Sequence, residues 1–227
     1  TSAQIQKKRT KKTIKIEKFI SKRISYIVTD TTENDYEMLL KYYPKLKHIP
    51  WKEFFYYPID SVLSEELMQK WVDGNNIQIG NSASITNNHE YAMRPLSKLN
   101  LDNKKIYVPL SYSGTKEYRE SVKSKGLEYF EDKFIALEDF LPLEEYNRLM
   151  LSFSVAIYGN FRQEAVGNIL ISLYLGAKVF LPENNPVYFW AKKLNLIIFA
   201  LESISQKDIE EKLDISSRNH NRNIILN

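Results

Sequence analysis

Residues 153–186 read FSVAIYGNFRQEAVGNILISLYLGAKVFLPENNP. Val155–Tyr158 predicts a strand, Gly159–Gln163 a loop, Glu164–Leu175 a strongly apolar helix and Lys178–Leu181 a second strand. Pro182–Asn185 is a turn by composition, and Pro186 is placed to open the next helix. The same alternation extends outward. Strands are expected at Ile77–Ile79, Lys105–Pro109 and Leu196–Phe199, with further candidates at Leu127–Phe130 and Phe134–Leu137. Helices are expected at Asn88–Leu99, Thr115–Lys125, Pro142–Phe153 and Pro186–Leu194. Thr115 suits an N-cap, Gly126 a C-terminal cap and Pro142 a first helical turn. Leu143, Tyr146, Leu149, Met150 and Phe153 form one apolar stripe, read as core packing rather than a site. Strand–helix units of this kind predict an α/β fold, a parallel sheet with helices on both faces. Its ligands belong at the carboxyl ends of the strands, in the loops after Ile79, Pro109, Tyr158 and Leu181.

Ahead of this region, Ile24–Thr29 reads as a strand, Asp30–Asn34 as a turn and Asp35–Tyr43 as a helix stopped by Pro44. A proline-punctuated aromatic stretch, 48–58, and a short helix, Ser64–Trp71, lead to a break at Asp73-Gly74-Asn75-Asn76. The expected organisation is a basic leading segment (1–23), a remnant of an amino-terminal domain with its linker (24–73), a ligand-binding domain (74–205) and a helical tail (206–227). The chain opens TSAQIQKKRT, without methionine, and is read as a piece processed or trimmed from something longer.

With 227 residues, 43% hydrophobic and 26% charged, the chain has material for a sizeable core, which excludes wholesale disorder. There are no cysteines, so disulfides, thiolate zinc sites and a cysteine nucleophile are excluded. The apolar, uncharged run Ala165–Ala177 is too short to span a bilayer. Residues 1–23 hold nine basic residues against Glu17 alone, a net +8, while the whole chain is +4, so residues 24–227 carry −4. Such a segment is either a solvated surface element or a contact for an anionic surface. Only Phe19 interleaves with its basic residues, so no nucleic-acid partner is expected.

The loop after Ile79 is Gly80-Asn81-Ser82-Ala83-Ser84, then Thr86-Asn87-Asn88-His89. As a nucleophile elbow it fails, because Ser84 replaces the second glycine and His89 has no suitably spaced acid. It suits either a small-residue turn approaching a phosphate with neutral donors, or a plain turn with Asn87 or Asn88 as N-cap. The loop after Tyr158 brackets Arg162 between Gly159 and Gly167, immediately before the apolar helix. A guanidinium beside free helix N–H groups suits a diphosphate, both for binding and for neutralising a leaving group. In the loop after Leu181, Glu183 or Asn184 could meet sugar hydroxyls. The dinucleotide fingerprint G-x-G-x-x-G and the P-loop pattern are absent, which disfavours nicotinamide enzymes and P-loop NTPases. No two aspartates are two apart, and His48, His89 and His220 form no ligand pair, so neither metal nor cofactor is expected.

Ile77–Ser82 with Asn88-His89 resembles the start of the donor domain of glycosyltransferase family 56. Val108-Pro109 with Tyr112, Glu117-Tyr118 leading to Gly126-Leu127, Phe161-Arg162-Gln163 with Gly167, and Asn185-Pro186 after Val179-Phe180-Leu181 follow in the family's order and spacing. The similarity spans roughly residues 24–205. It implies a GT-B architecture, of which this chain holds the carboxy-terminal, Rossmann-like half. It also implies a metal-independent, inverting transfer of a deoxy-amino sugar such as N-acetylfucosamine. The donor would be a dTDP-sugar and the acceptor a polyprenyl-diphosphate-linked glycan. That chemistry implies a peripheral position on the cytoplasmic face of a bacterial inner membrane, with residues 1–23 touching the anionic surface. The phosphate-facing positions become Gly80, Asn81, Ser82, Arg162, Gln163 and Gly167; His89, Asn168, Asn184 and Asn185 complete the candidate donor-binding set. Arg162 and Glu164 are the candidate catalytic residues, with His89 a further titratable group. Glu164-Ala165 departs from the family's glutamine-glycine pair. Two rival readings are a GT-B transferase using a UDP- or GDP-sugar, and a non-catalytic nucleotide-binding or scaffold module of transferase-derived fold.

Overall fold

The computed structural model describes residues 11–29, 33–54 and 58–226, and the chain divides into two compact units, residues 1–56 and 57–227. In the first, α1 (Lys11–Ser21) precedes β1 (Ile27–Thr29), α2 (Glu33–Tyr42) and β2 (Trp51–Glu53). β1 and β2 pair in parallel, Ile27 opposite Trp51 and Thr29 opposite Glu53, with α2 as the crossover. Trp51 Nε1 donates to Thr29 Oγ1 at 2.6 Å and Tyr36 Oη to the Ile49 carbonyl at 2.8 Å, which tie the helix and the second strand to the first. β2 falls in the aromatic stretch that the sequence leaves unassigned; Pro50 supplies the carbonyl that accepts from Ile27 N (3.0 Å) at the head of the ladder. Lys7, Lys8 and Arg9 of the basic segment, Asp30–Thr32 of the expected turn and Phe55–Tyr57 lie outside the described residues.

The second unit runs through α3 (Glu65–Met68), β3 (Asn76–Ile79), α4 (His89–Leu96), β4 (Ile106–Pro109), α5 (Lys116–Phe130) and β5 (Phe134–Leu137). It continues with α6 (Leu143–Met150), β6 (Phe153–Ile157), α7 (Val166–Leu175), β7 (Lys178–Leu181), α8 (Pro186–Lys193), β8 (Phe199–Ala200), α9 (Gln206–Glu210) and α10 (Ile215–Leu226). The six strands β3–β8 form one parallel sheet in the order β5-β4-β3-β6-β7-β8. Counted from β3 that is 3-2-1-4-5-6, the doubly wound order of Rossmann folds.

Strand periodicity sorts the core into two faces. Val155 and Ile157 point with Ile77, Ile79, Ile106 and Val108 to the side covered by α4 and α5. Ala156, Tyr158, Val179 and Leu181 point to the side covered by α7 and α8. Each Val, Leu and Ile among them contributes about 1.5–3 kcal/mol by leaving water. α7 is apolar all round because the sheet covers one side and α10 packs on it as well. Ile59, Leu63, Leu67 and Val72, which the sequence assigned to the amino-terminal remnant, pack with Met150, Phe153, Ile171 and Leu175 of the second unit. Asp73 and Gly74 both donate to the Leu151 carbonyl, so the predicted break is an irregular segment tied to the end of α6 that feeds β3.

Two local expectations are corrected. Leu127–Phe130 is the last turn of α5, not a strand, and Gly126 lies inside that helix rather than capping it. The physical reason is Phe134 of β5, whose ring lies against α5: a Cβ on Gly126 would sit 2.1 Å from that ring. Thr115 caps α5 as expected, its side chain accepting from Tyr118 N.

Candidate functional site at the switch point

The strand order reverses between β3 and β6, so their following loops diverge to opposite faces and leave a crevice at the carboxyl edge. Gly80 turns the chain out of β3 at φ +70, where a Cβ would stand 2.8 Å from both Asn87 Oδ1 and His89 Nε2. Asn87 then organises the loop: its Oδ1 accepts from Asn81 N at 2.9 Å and its Nδ2 donates to Ser82 Oγ at 3.2 Å. Ser82 Oγ also accepts from Ser84 N, so this buried hydroxyl is engaged within the turn. Asn81 Nδ2 reaches Tyr112 Oη at 3.0 Å, in the loop after β4. Asn88 heads α4 in the left-handed region without capping it, and its Nδ2 donates to the carbonyls of Thr86 and Gly159 instead.

Glu164 clasps the two loops together. Its Oε1 accepts from Thr86 Oγ1 at 2.8 Å, its Oε2 from Asn160 Nδ2 at 2.6 Å, and Arg162 Nη2 lies 3.3 Å from Oε1. The Glu164 side chain is 20% exposed and that of Arg162 65%, so the carboxylate anchors a guanidinium facing outward. The loop after β7 joins the same network. Asn185 caps α8 by accepting from Val187 N at 2.7 Å, while its Nδ2 donates to the carbonyls of Asn160 (2.6 Å) and Arg162 (3.4 Å). Ala165 precedes α7 at φ +60, a left-handed conformation that costs a non-glycine residue roughly 1–2 kcal/mol.

A cavity of about 470 Å³ opens beside these loops, over the carboxyl ends of β3, β4 and β5. Pro109, Leu137, Phe140 and Leu143 make its apolar walls; Asn81, Ser111, Tyr112 and Asp139 supply polar groups, and Gly167 and Asn168 bring the first turn of α7 to its edge. The combination of apolar walls and a few convergent polar groups is typical of small-ligand sites. Tyr146 lies at its back, its hydroxyl accepting from Gln78 Nε2, and burial holds that phenol well above its ordinary range. Phe153 of the expected stripe opens β6 instead, and the remainder on α6 is not core alone: Leu143 is 56% exposed and, with Tyr146, lines the cavity.

A family model described as 4-alpha-L-fucosyltransferase, glycosyl transferase group 56, matches residues 7–222. The chain belongs to this family. Among solved structures, the family 56 chain is similar to a glycosyltransferase from Rickettsia africae ESF-5, with TM-score 0.66, 13% identity, and 93% of this chain and 64% of that one covered. It is also similar to the alpha,alpha-trehalose 6-phosphate synthase of Burkholderia multivorans, with TM-score 0.64, 10% identity and coverage of 94% and 56%. A third is WaaG, a glycosyltransferase involved in lipopolysaccharide biosynthesis, with TM-score 0.55, 13% identity and coverage of 96% and 63%. These likenesses concern the fold, which is of the GT-B class. The chain spans about three-fifths of the length of the structures it matches.

In the family 56 chain, Gly80, Asn81, Ser82, Arg162, Gln163 and Glu164 stand on the two loops that meet at the switch point, with Gly167 and Asn168 at the start of α7. Asn184 is exposed in the loop after β7, and Asn185 is fully buried as a cap. His89 is fully buried behind Gly80, its Nδ1 3.0 Å from Tyr118 Oη. Burial lowers its pKa to about 4, against the raising pull of the Ser82 backbone, so it is a neutral support for the turn at physiological pH. Thr86, Asn160 and Asn147 had escaped the sequence reading. Asn147 was visible in principle, since it falls four residues after Leu143 and three before Met150, on the buried face of α6. Its Nδ2 holds the Val62 carbonyl at 2.6 Å. Among the described residues no three His, Asp or Glu side chains gather where they could hold a metal ion, and no helix is long and apolar enough to cross a membrane.

Proposed function

We propose that this chain is the nucleotide-sugar-binding portion of an inverting glycosyltransferase that moves a deoxy-amino sugar such as N-acetylfucosamine from a dTDP carrier to a polyprenyl-diphosphate-linked glycan. The observation that carries the reading is the exposed Arg162 guanidinium, anchored by Glu164 at the switch point beside a 470 Å³ cavity with the first turn of α7 at its rim. In such a transfer an acceptor hydroxyl attacks the anomeric carbon, the bond to the β-phosphate oxygen breaks and the diphosphate departs with both bonding electrons. Charge grows on that diphosphate, and a guanidinium together with free helix N–H groups stabilises it where it develops. Glu164 already accepts from Thr86, Asn160 and Arg162, which suits it to hold the loop and orient Arg162 rather than to take the acceptor proton. The cavity's apolar walls and few polar groups, the acidic Asp139 among them, suit an uncharged nucleoside rather than an anionic group.

The membrane side of the proposal rests on charge. Residues 1–56 carry 13 basic and 6 acidic residues, a net +7, leaving −3 on the remainder of a +4 chain. On α1, Ile14, Ile16 and Phe19 are exposed beside Lys15 and Lys18, a combination favourable at an anionic lipid surface. The corresponding location is the cytoplasmic face of a bacterial inner membrane.

A thermal-shift titration with dTDP, UDP, GDP and AMP tests the donor assignment. A ligand at about a hundred times its Kd adds roughly 2.7 kcal/mol, or roughly 5–10 °C for a unit of this size. A dTDP-selective shift that Arg162→Ala abolishes is the expected result. A shift with UDP or GDP instead transfers the reading to another donor. Silence toward all four nucleotides, in the full-length protein as well, favours a non-catalytic module.

A further inference from the structure

Beyond the switch point, on the side away from the 470 Å³ cavity, three loops and a helix converge on a second feature of the carboxyl edge. Phe161, next to Arg162, is 44% exposed, and Tyr91 of α4 is 37% exposed; their rings lie 5.0 Å apart at 56°. Tyr91 Oη donates to Glu202 Oε1 at 2.7 Å, and the other oxygen of Glu202 accepts from Glu183 N at 3.1 Å. Glu202 follows β8 and Glu183 follows β7, so one carboxylate fixes the phenol and joins both edge loops. The Tyr91 hydroxyl is held in its protonated, donating form, its pKa pushed up to about 12 by burial and by the Glu202 carboxylate. Tyr91 is also one wall of a cleft of about 330 Å³ between α4 and α5, where Ile85 is 68% exposed and Arg94 stands at the rim.

Two partly exposed aromatic rings tilted against each other, bordered by the Glu202 carboxylate and by the cleft that Arg94 lines, complement one kind of small molecule. A pyranose ring has an apolar C–H face that packs on an aromatic ring, and edge hydroxyls that donate to carboxylates and accept from guanidinium groups. A carboxylate oxygen that already accepts one hydrogen bond has a further lone pair for a hydroxyl. Neither a phosphate nor a fatty chain matches this mixture: the Glu202 carboxylate repels the first, and the charged rim desolvates unfavourably against the second.

We infer that Tyr91 and Phe161 form a saccharide platform, a pyranose-binding subsite whose polar edge is the Glu202 carboxylate. The inference rests on the transferase reading only for the origin of the sugar, which is either the donor's hexose or a residue of the acceptor glycan. Phe161→Ala removes the platform ring from an exposed position. Tyr91→Phe keeps the ring and releases Glu202. Both are titrated by calorimetry, alongside the unaltered full chain, with dTDP, with a dTDP-hexose and with a soluble N-acetylhexosamine disaccharide. If the platform holds the donor's sugar, the dTDP-hexose loses roughly five- to tenfold in affinity in Phe161→Ala, while dTDP itself is unaffected. If it holds the acceptor, the disaccharide loses binding by the same factor and the dTDP-hexose does not. In either case Tyr91→Phe gives a smaller loss for the same ligand. If dTDP and the sugars bind all three proteins alike, or if no sugar moiety adds to binding in the unaltered chain, the platform is refuted while the nucleotide assignment stands. If no nucleotide binds but the disaccharide does so in a Phe161-dependent way, the platform stands and the donor reading falls.

Discussion

His89 makes the second unit sensitive to acid, and the size of the effect follows from its burial. The imidazole has a folded pKa of about 4 against 6.5 for an unrestrained histidine. Below pH 6.5 the unfolded chain takes up a proton that the folded imidazole refuses, so stability falls as pH drops from 6.5 toward 4 and the loss levels off below that. Above pH 7 the group contributes no pH dependence. The full loss is about 3 kcal/mol, and at pH 5 it is about 2 kcal/mol. His89→Gln replaces the ring with a side chain that does not titrate and can still reach Tyr118 Oη. It is expected to be less stable than the parent at pH 7.5 and to lose about 2 kcal/mol less on going to pH 5. Urea unfolding in a Trp51→Phe background measures this, because the remaining tryptophans, Trp71 and Trp190, both report on the second unit. All other titrations cancel in the difference between the two proteins. Parallel losses from pH 7.5 to 5 would refute a neutral, buried His89 as the support of the Gly80 turn.

Three further outcomes are expected. Asn185→Ala removes a cap and the donor to two loop carbonyls, and should cost about 2–3 kcal/mol in urea unfolding while weakening nucleotide binding through the displaced Arg162. Gly126→Ala gains helix propensity but drives a methyl into the Phe134 ring, for a net loss of about 1–2 kcal/mol; adding Phe134→Leu should recover most of it. Ala165→Gly relieves the left-handed backbone ahead of α7 and should raise stability by about 0.5–1 kcal/mol, seen as a higher urea midpoint.

How much of this was legible in the sequence depends on the range of the interaction. The apolar runs Ile77–Ile79, Val155–Ile157 and Lys178–Leu181 alternate with helical segments that are amphipathic or, for α7, apolar throughout, so the parallel sheet was readable. So was Thr115, because a cap is a bond to a residue three positions on. β2 was not, since three residues behind Pro50 carry no period and the strand exists only through its ladder with β1. Leu127–Phe130 misled for a related reason: its aromatic, apolar composition suits a strand, and what keeps it helical is α5 itself, with Phe134 beyond it closing over Gly126. In the site, Gly80 and Arg162 could be singled out from their own loops, but the burial of His89 could not, since it lies in the polar run Thr86–Glu90. The role of Glu164 depends on Thr86, 78 positions earlier, and that of Asn185 on Asn160, 25 positions earlier. Such pairs have no signature in local pattern. They follow from the strand order, because only the reversal between β3 and β6 brings the loop holding Thr86 against the loop holding Glu164. The topology thus selects which polar residues meet, and the resulting clasp leaves Arg162 as the outward-facing charge of the two loops.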